Sequence, residues 1–289
     1  MSLALIDKAA ARRAFTRAAP AYDGVALLQQ EIEQRLLARL DYIRLDPRLV
    51  LDLGAGTGHA VDGLQRRFRR APVLALDFAE SMLHQARRRG RWGRRPLCLC
   101  ADAERLPLAD GCVDLIFSNA MFQWCNDLER TFGECLRVLR PGGALLFSTF
   151  GPDTLKELRA AWAAVDGETH VSGFLDMHDI GDALVRARFA DPVMDVDRLT
   201  VTYDRVRDLM RDLKQLGAHN AAVDRPRGLT GRRRLAAVEA AYERERREGR
   251  LPATYEVVYG LAWVGQQKPV DGGVAIPLEG LRFGRGGRR

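Results

Sequence analysis

Short apolar runs alternate with stretches that carry apolar residues at every third or fourth position between about residues 45 and 150. Leu49–Leu53, Val73–Leu76, Leu97–Cys100, Val113–Ser118 and Ala144–Thr149 are continuous and brief, as strands buried on both faces are. Between them the spacing predicts helices over about 57–69, from Ser81 to Arg89, and over 127–139. Arg140-Pro141-Gly142-Gly143 should stop the last of these. Strand and helix in alternation imply a doubly wound, Rossmann-like α/β sheet, parallel in its core and covered on both faces. Two helices are expected upstream, over 8–18 and 23–40, parted at Ala19-Pro20. Downstream, 153–165, 177–188, 205–217 and 231–247 read as helices, and Val193–Tyr203 and Thr254–Trp263 as two further strands, giving a seven-stranded sheet. The chain divides into residues 1–45, 46–150, 151–264 and a Gly/Arg-rich tail over 265–289, which reads as disordered.

Charge changes the picture modestly. The formal net charge is +7, and much of it lies in arginine clusters at 66–70, 87–95, 232–234 and 285–289. Such clusters suit nucleic acid, an anionic membrane or an acidic protein, or are solvated helix faces. Few aromatic residues interleave them, which argues against single-stranded nucleic acid. No apolar run approaches the ~20 residues that cross a bilayer. The first thirteen residues lack an apolar secretory segment, so a cytoplasmic location is expected. The five cysteines form no CxxC pair and the five histidines show no ligand spacing, so free thiols and no metal are expected.

The strongest chemical signal is Val50-Leu51-Asp52-Leu53-Gly54-Ala55-Gly56-Thr57-Gly58. A strand runs straight into Gly-x-Gly-x-Gly and then a helix, whose first N–H groups would suit a carboxylate or a phosphate. Alone, such a loop is also simply a tight strand-to-helix turn. Asp77 ends the second strand, 23 residues beyond Gly54, where a carboxylate can take two ribose hydroxyls. Asp102 follows the third, where it can accept from an exocyclic amine. The dinucleotide fingerprint Gly-x-Gly-x-x-Gly is not matched, because the third glycine comes one residue early.

With Asp102-Ala103-Glu104-Arg105-Leu106-Pro107-Leu108 and Arg137-Val138-Leu139-Arg140-Pro141-Gly142-Gly143, residues 45–150 resemble the class I S-adenosylmethionine-dependent methyltransferases. That resemblance implies S-adenosylmethionine as cofactor and makes 46–150 its binding core. Gly54, Ala55, Gly56 and Gly58 would face its methionine part, with Asp52 orienting the loop and the ammonium. Asp77 would hold the ribose. Phe78 and Met82 would line the adenine, and Asp102 and Ala103 would read its amine. Asn119 would close the floor near the sulfonium. After the fourth strand the chain reads Ser118-Asn119-Ala120-Met121, not the Asn/Asp-Pro-Pro motif of base methylation.

Further segments narrow the resemblance. They are Ala14-Phe15-x-Arg17-Ala18-Ala19-x-x-Tyr22-Asp23, Ser118-Asn119-Ala120-Met121-Phe122-Gln123-Trp124-Cys125, Thr149–Leu158, Leu209–Ala218 and Leu251–Tyr255. Together, over about 8–264, they are similar to the malonyl-acyl-carrier-protein O-methyltransferase family of biotin synthesis; the extension after Val264 departs from that family. The resemblance implies methyl transfer to the free carboxylate of a malonyl thioester on acyl carrier protein, the masked ester then entering pimelate synthesis. It makes 1–45 helices covering the site and part of 151–264 a helical substrate lid. A carboxylate with a pKa near ~4 is already ionised and needs no general base. Tyr22 and the cations Arg211 and Lys214, at i and i+3 on one helix, are candidates to bind it. Gln123 and Trp124 would line the pocket. A basic rim would steer the acidic carrier protein, and a monomer with no nucleic-acid or membrane partner is expected.

Overall fold

The computed structural model describes residues 5–90, 93–226, 228 and 230–265. The tail expected to be disordered lies, beyond Gly265, outside the described residues. The chain opens with α1 (Lys8–Ala18), α2 (Tyr22–Val25) and α3 (Leu27–Arg39). The expected helix over 23–40 is therefore two, broken at Ala26, which leaves the helical region at ψ +34°. The alternating core follows as β1 (Val50–Leu53), α4 (Val61–Arg67), β2 (Val73–Asp77), α5 (Glu80–Ala86), β3 (Leu97–Cys100), β4 (Val113–Ser118), α6 (Leu128–Val138) and β5 (Leu139–Phe150). Then come α7 (Lys156–Ala163), α8 (Met177–Arg186), β6 (Ala190–Tyr203), α9 (Val206–Gln215), α10 (Arg232–Tyr242) and β7 (Leu251–Trp263).

The seven strands form one sheet in the order β3-β2-β1-β4-β5-β7-β6. The first five are parallel, and β7 is antiparallel to both β5 and β6. β1, β2 and β7 are buried almost throughout, whereas β6, at the edge, alternates between exposed and half-buried residues. That contrast is what burial of two faces against one requires. Two apolar clusters cover the sheet's faces, one around Leu36, Leu64, Phe117 and Tyr259, the other around Leu76, Ile116, Phe132 and Phe147.

β5 starts earlier than its apolar run. Arg140-Pro141-Gly142-Gly143 ends α6 but stays extended, because Gly142 N–H donates to the Val264 carbonyl (3.0 Å) and Val264 N–H to that of Gly143 (2.9 Å). Arg140 also grips both oxygens of Asp114 (2.9 and 3.0 Å), whose Oδ2 accepts from the Arg48 and Leu49 amides. α6 is capped as its sequence suggests, with Asp127 accepting from Arg130 N–H (2.9 Å).

α1 and α2 lie over the strands' carboxyl edge, whereas α3 packs through Ile32 and Leu36 on one face of the sheet. Arg39 of α3 stacks on the Tyr259 ring at 3.6 Å, and Arg35 and Arg39 pair with Asp197 and Asp195 on β6. The chain's first described residues are stitched to the segment after α9: Asp7 N–H donates to the Ala221 carbonyl and Val223 N–H to that of Leu5, each at 2.8 Å.

Candidate active site

The carboxyl ends of β1, β2, β3 and β4 surround a cleft lined by Gly54, Gly56, Asp77, Phe78, Met82, Asp102, Ala103 and Asn119, among others. Asp77 is buried, and its Oδ1 and Oδ2 accept from the amides of Ala79 (2.8 Å) and Gly56 (2.9 Å). Burial pushes its carboxyl up to about 6, against the pull of the Ala79, Gly56 and Phe78 amides. Asp52 lies buried beneath the loop, with Oδ2 unpartnered among the described residues. Burial first, then the carboxylates of Glu33 and Asp77, raise it far above the carboxylate range. A buried carboxyl with an unpartnered oxygen suits a cationic ligand, and Asp77, bonded only to backbone amides, keeps lone pairs for further hydroxyl or amine donors.

The glycine loop works differently from the sequence expectation. α4 begins only at Val61, so no helix start adjoins Gly58. The loop amides are consumed internally: Gly54 and Ala55 donate to the Leu76 carbonyl (2.8 and 2.9 Å), and Gly58 to that of Ala55 (2.8 Å). Gly56 is the open position, with nothing within 4 Å of where a Cβ would stand. Gly58 faces away from the cleft, where a Cβ would lie 2.8 Å from that of Ala86. It lets α5 approach the loop, and neither it nor Ala55 lines the cleft.

α1 and α2 form the cleft's roof. Ala18, Ala19, Ala79 and Met82 pack together with Phe15, Tyr22 and Phe78 against them. Phe15 meets Phe78 and Trp124 edge-on, with centroids 5.9 and 5.0 Å away. Lys8 binds Asp102 (2.7 Å) and Glu104 (2.8 Å); burial works against its charge, but these partners hold its pKa above the ordinary value. Asp23 accepts from Thr57 Oγ1 (2.5 Å) and pairs with Arg89, tying α2 to the glycine loop. Buried Glu33 holds His59 Nδ1 at 2.8 Å.

Beside the cleft lies a wide cavity of about 1160 Å³, bounded by α1, α2, α7, α9 and the segments after β4 and α9. Cleft and cavity share the walls Phe15, Tyr22, Ala120 and Trp124. Ala120 is held at φ +50° with its N–H on the carbonyl and the hydroxyl of Ser148, both at 3.0 Å. Tyr22 is half-buried, and burial, then Asp77, Asp23 and Glu33, push its phenol up, so it remains a donor. The cavity's described lining includes Arg17, Lys214 and Arg225 but no aspartate or glutamate. Cys125, on the cleft, has its thiol pushed up to about 12 by burial and offers no thiolate.

The sequence candidates thus separate. Tyr22, Gln123, Trp124 and Lys214 line the cavity; Arg211 does not, being exposed and paired with Asp208 at 2.8 Å. Gln123 is spent on the wall, its Nε2 on the Ala120 carbonyl (2.6 Å) and its Oε1 accepting from Thr149 (3.1 Å). Asn119 is likewise engaged, accepting from Ser148 Oγ (2.7 Å) and donating to the Gln29 carbonyl (3.0 Å). Sequence reasoning gave no role to Lys8, Phe15 or Gln29, whose buried Oε1 has no partner among the described residues. It found no ligand spacing among the histidines and gave them no role; His170, stacked on Trp162 at 3.6 Å, and His219 line the cavity. His170 gathers with Asp166 and Glu168, where Arg234 supplies the positive charge.

A five-stranded parallel core, a reversed β7 inserted before β6, and a cleft at the strand ends define a class I methyltransferase. A methyltransferase-domain family model matches residues 51–147. The fold is shared with a solved methyltransferase from Thermotoga maritima, at TM-score 0.51 and 17% identity over 88% of this chain and 99% of that one. The malonyl-[acyl-carrier protein] O-methyltransferase of Methylovorus sp. (strain MP688) is 54% identical over 94% of this chain and 93% of its own. That of Halorhodospira halophila is 51% identical over 96% of each. The chain belongs to the malonyl-[acyl-carrier protein] O-methyltransferase family.

Proposed function

We propose that this protein transfers the methyl group of S-adenosylmethionine to the free carboxylate of malonyl-acyl carrier protein. The observation that carries the reading is a pair of adjoining spaces of opposite character, an acidic cleft and a cavity without described carboxylates, meeting at Phe15, Tyr22, Ala120 and Trp124. The chain's close likeness to relatives named for this activity supports it.

In this reading Asp77 would hold the ribose hydroxyls, Asp102 and Ala103 would read the adenine, and Phe78 and Met82 would line it. Gly54 and Gly56 would admit the methionine part, whose ammonium would give Asp52 the cationic partner it lacks among the described residues. S-adenosylmethionine, when bound, supplies an electrophilic methyl on a sulfonium; a carboxylate oxygen gains it and a neutral thioether leaves. The chain's own task is to hold the acceptor at the shared wall. The Tyr22 phenol donates a hydrogen bond to the malonyl carboxylate, and the Phe15 and Trp124 rings exclude water from it. Positioning of an already ionised nucleophile supplies most of the acceleration. No helix among the described residues is long and apolar enough to cross a membrane, and a monomer working in the cytoplasm is our reading.

The test is to incubate the protein with methyl-labelled S-adenosylmethionine and malonyl-acyl carrier protein, with acetyl-acyl carrier protein in parallel. Base-labile label on the malonyl carrier alone is expected. Cofactor binding with no transfer would redirect the search to another small carboxylate or a quinone precursor.

A further inference from the structure

The wide cavity has a mouth as well as an inner wall. Three of its lining residues, Arg17, Lys214 and His219, are exposed, and none of them lines the cleft. They come from different elements, the last turn of α1, the last turn of α9 and the loop beyond. Gly217 brings those elements together: at φ +73°, a Cβ there would lie 3.1 Å from the Ala14 backbone. Arg17, Arg225 and Lys214 are near enough to His219 that, after burial, they hold its imidazole below the ordinary value.

The neighbouring arginines are already neutralised. Arg225 pairs with Asp7 (3.1 Å), Arg205 and Arg211 with Asp208 (3.1 and 2.8 Å), and Arg207 with Glu239. Arg17 and Lys214 have no ion pair among the described residues, and the cavity's described lining contains no carboxylate to supply one. Two unpaired cations and a neutral imidazole donor at an opening describe a site for one small anion.

On the reading that the acceptor is a malonyl thioester on a carrier protein, two anionic groups enter. The carboxylate has to reach the wall shared with the cleft. The other is the phosphodiester of the phosphopantetheine arm, which trails behind it. We propose that Arg17, Lys214 and His219 form a phosphodiester-binding site at the mouth of the acceptor cavity, and that it holds the phosphate of the arm while the malonyl end lies at the shared wall. Lys214, a sequence candidate for the carboxylate, acquires a different ligand, and the carboxylate is left to Tyr22.

The test compares malonyl-phosphopantetheine with malonyl-pantetheine, which differ only in the phosphate. In the wild-type protein the phosphate should lower KM about tenfold, as one charge-assisted contact does. In the Arg17→Ala/Lys214→Ala double variant that advantage should shrink below about twofold, with Arg17→Lys restoring part of it. An undiminished advantage overturns the proposal, and so does an equal loss on both substrates, which would assign these cations to the carboxylate. A loss seen only with the intact malonyl-carrier protein also overturns it, in favour of the carrier's acidic surface. Calorimetric binding of phosphopantetheine, present in the wild type and lost in the double variant, reads the site separately from methyl transfer. If no malonyl thioester is turned over yet this binding behaves as stated, the proposed acceptor fails and the anion site stands.

Discussion

The strand-end cleft and the wide cavity beside it are made in different ways. The cleft grows from the sheet: Asp52 lies near the end of β1, Asp77 ends β2, and Asp102 follows β3, so the ends of three adjoining strands place these carboxyls. The cavity grows from helices and loops at both ends of the chain, and its charged lining is cationic. The difference teaches that a positively charged methyl donor and an anionic acceptor can be sorted by lining alone, before any residue does chemistry. On the proposed reading, the half built on strand ends fixes where the methyl stands, and the half assembled from helices and loops decides what reaches it.

The comparison breaks most readily at Asp77. Asp77→Asn should weaken cofactor binding about 100-fold, roughly 3 kcal/mol, through two charge-assisted hydrogen bonds. Calorimetry reads it, and an affinity within threefold of wild type would remove Asp77 from the ribose. Gly58→Ala attacks the cleft's frame rather than its ligand. A positive φ and the contact with Ala86 should cost about 2 kcal/mol of stability in urea unfolding. If the folded variant instead lost cofactor affinity more than fivefold, Gly58 would return to the ligand-facing set. On the cavity side, Tyr22→Phe should lower kcat about tenfold while leaving cofactor Kd within about twofold. Unchanged kcat would take Tyr22 off the acceptor.

The smallest effect is that of pH. The free Asp77 carboxyl titrates at about 6, raised by burial. Hydroxyl donors favour its ionised form, so binding lowers that pKa and releases a proton below it. The Asp77 contribution to cofactor affinity should therefore be constant above about pH 6 and fall as pH drops below it, at most about tenfold per unit. The step near pH 6 should vanish in Asp77→Asn; its survival there would assign it to another group.

Much of the cleft was legible because it is local. Each of its carboxyls sits at or next to the end of a contiguous apolar run, and each end is marked by the residues beside it. What escaped was pairing between distant segments. Lys8 meets Asp102 across 94 residues, and Asn119 meets the Gln29 carbonyl across 90; no periodicity records either. Arg211 failed for another reason. Spacing placed it on one face with Lys214, but Asp208, one turn back, draws its guanidinium outward while Met210, Leu213 and Lys214 take the cavity. The late start of α4 was hidden because no capping side chain or proline marks Val61 as its first residue.

The stitching of Leu5–Asp7 to Ala221–Val223 has a consequence in time. Asp7 finds Arg225 across 218 residues, whereas each parallel pairing except that of β1 with β4 joins strands consecutive in the chain. Closing so long a loop costs entropy that short-range contacts do not, so such pairings form late. During refolding, pulsed hydrogen exchange should show β4 amides protected before those of α1; the reverse order would contradict this. A segment synthesised before the sheet is thus placed after it, and a chain still folding owns the sheet-borne floor of the cleft before it has either the cleft's roof or a closed chamber for the acceptor.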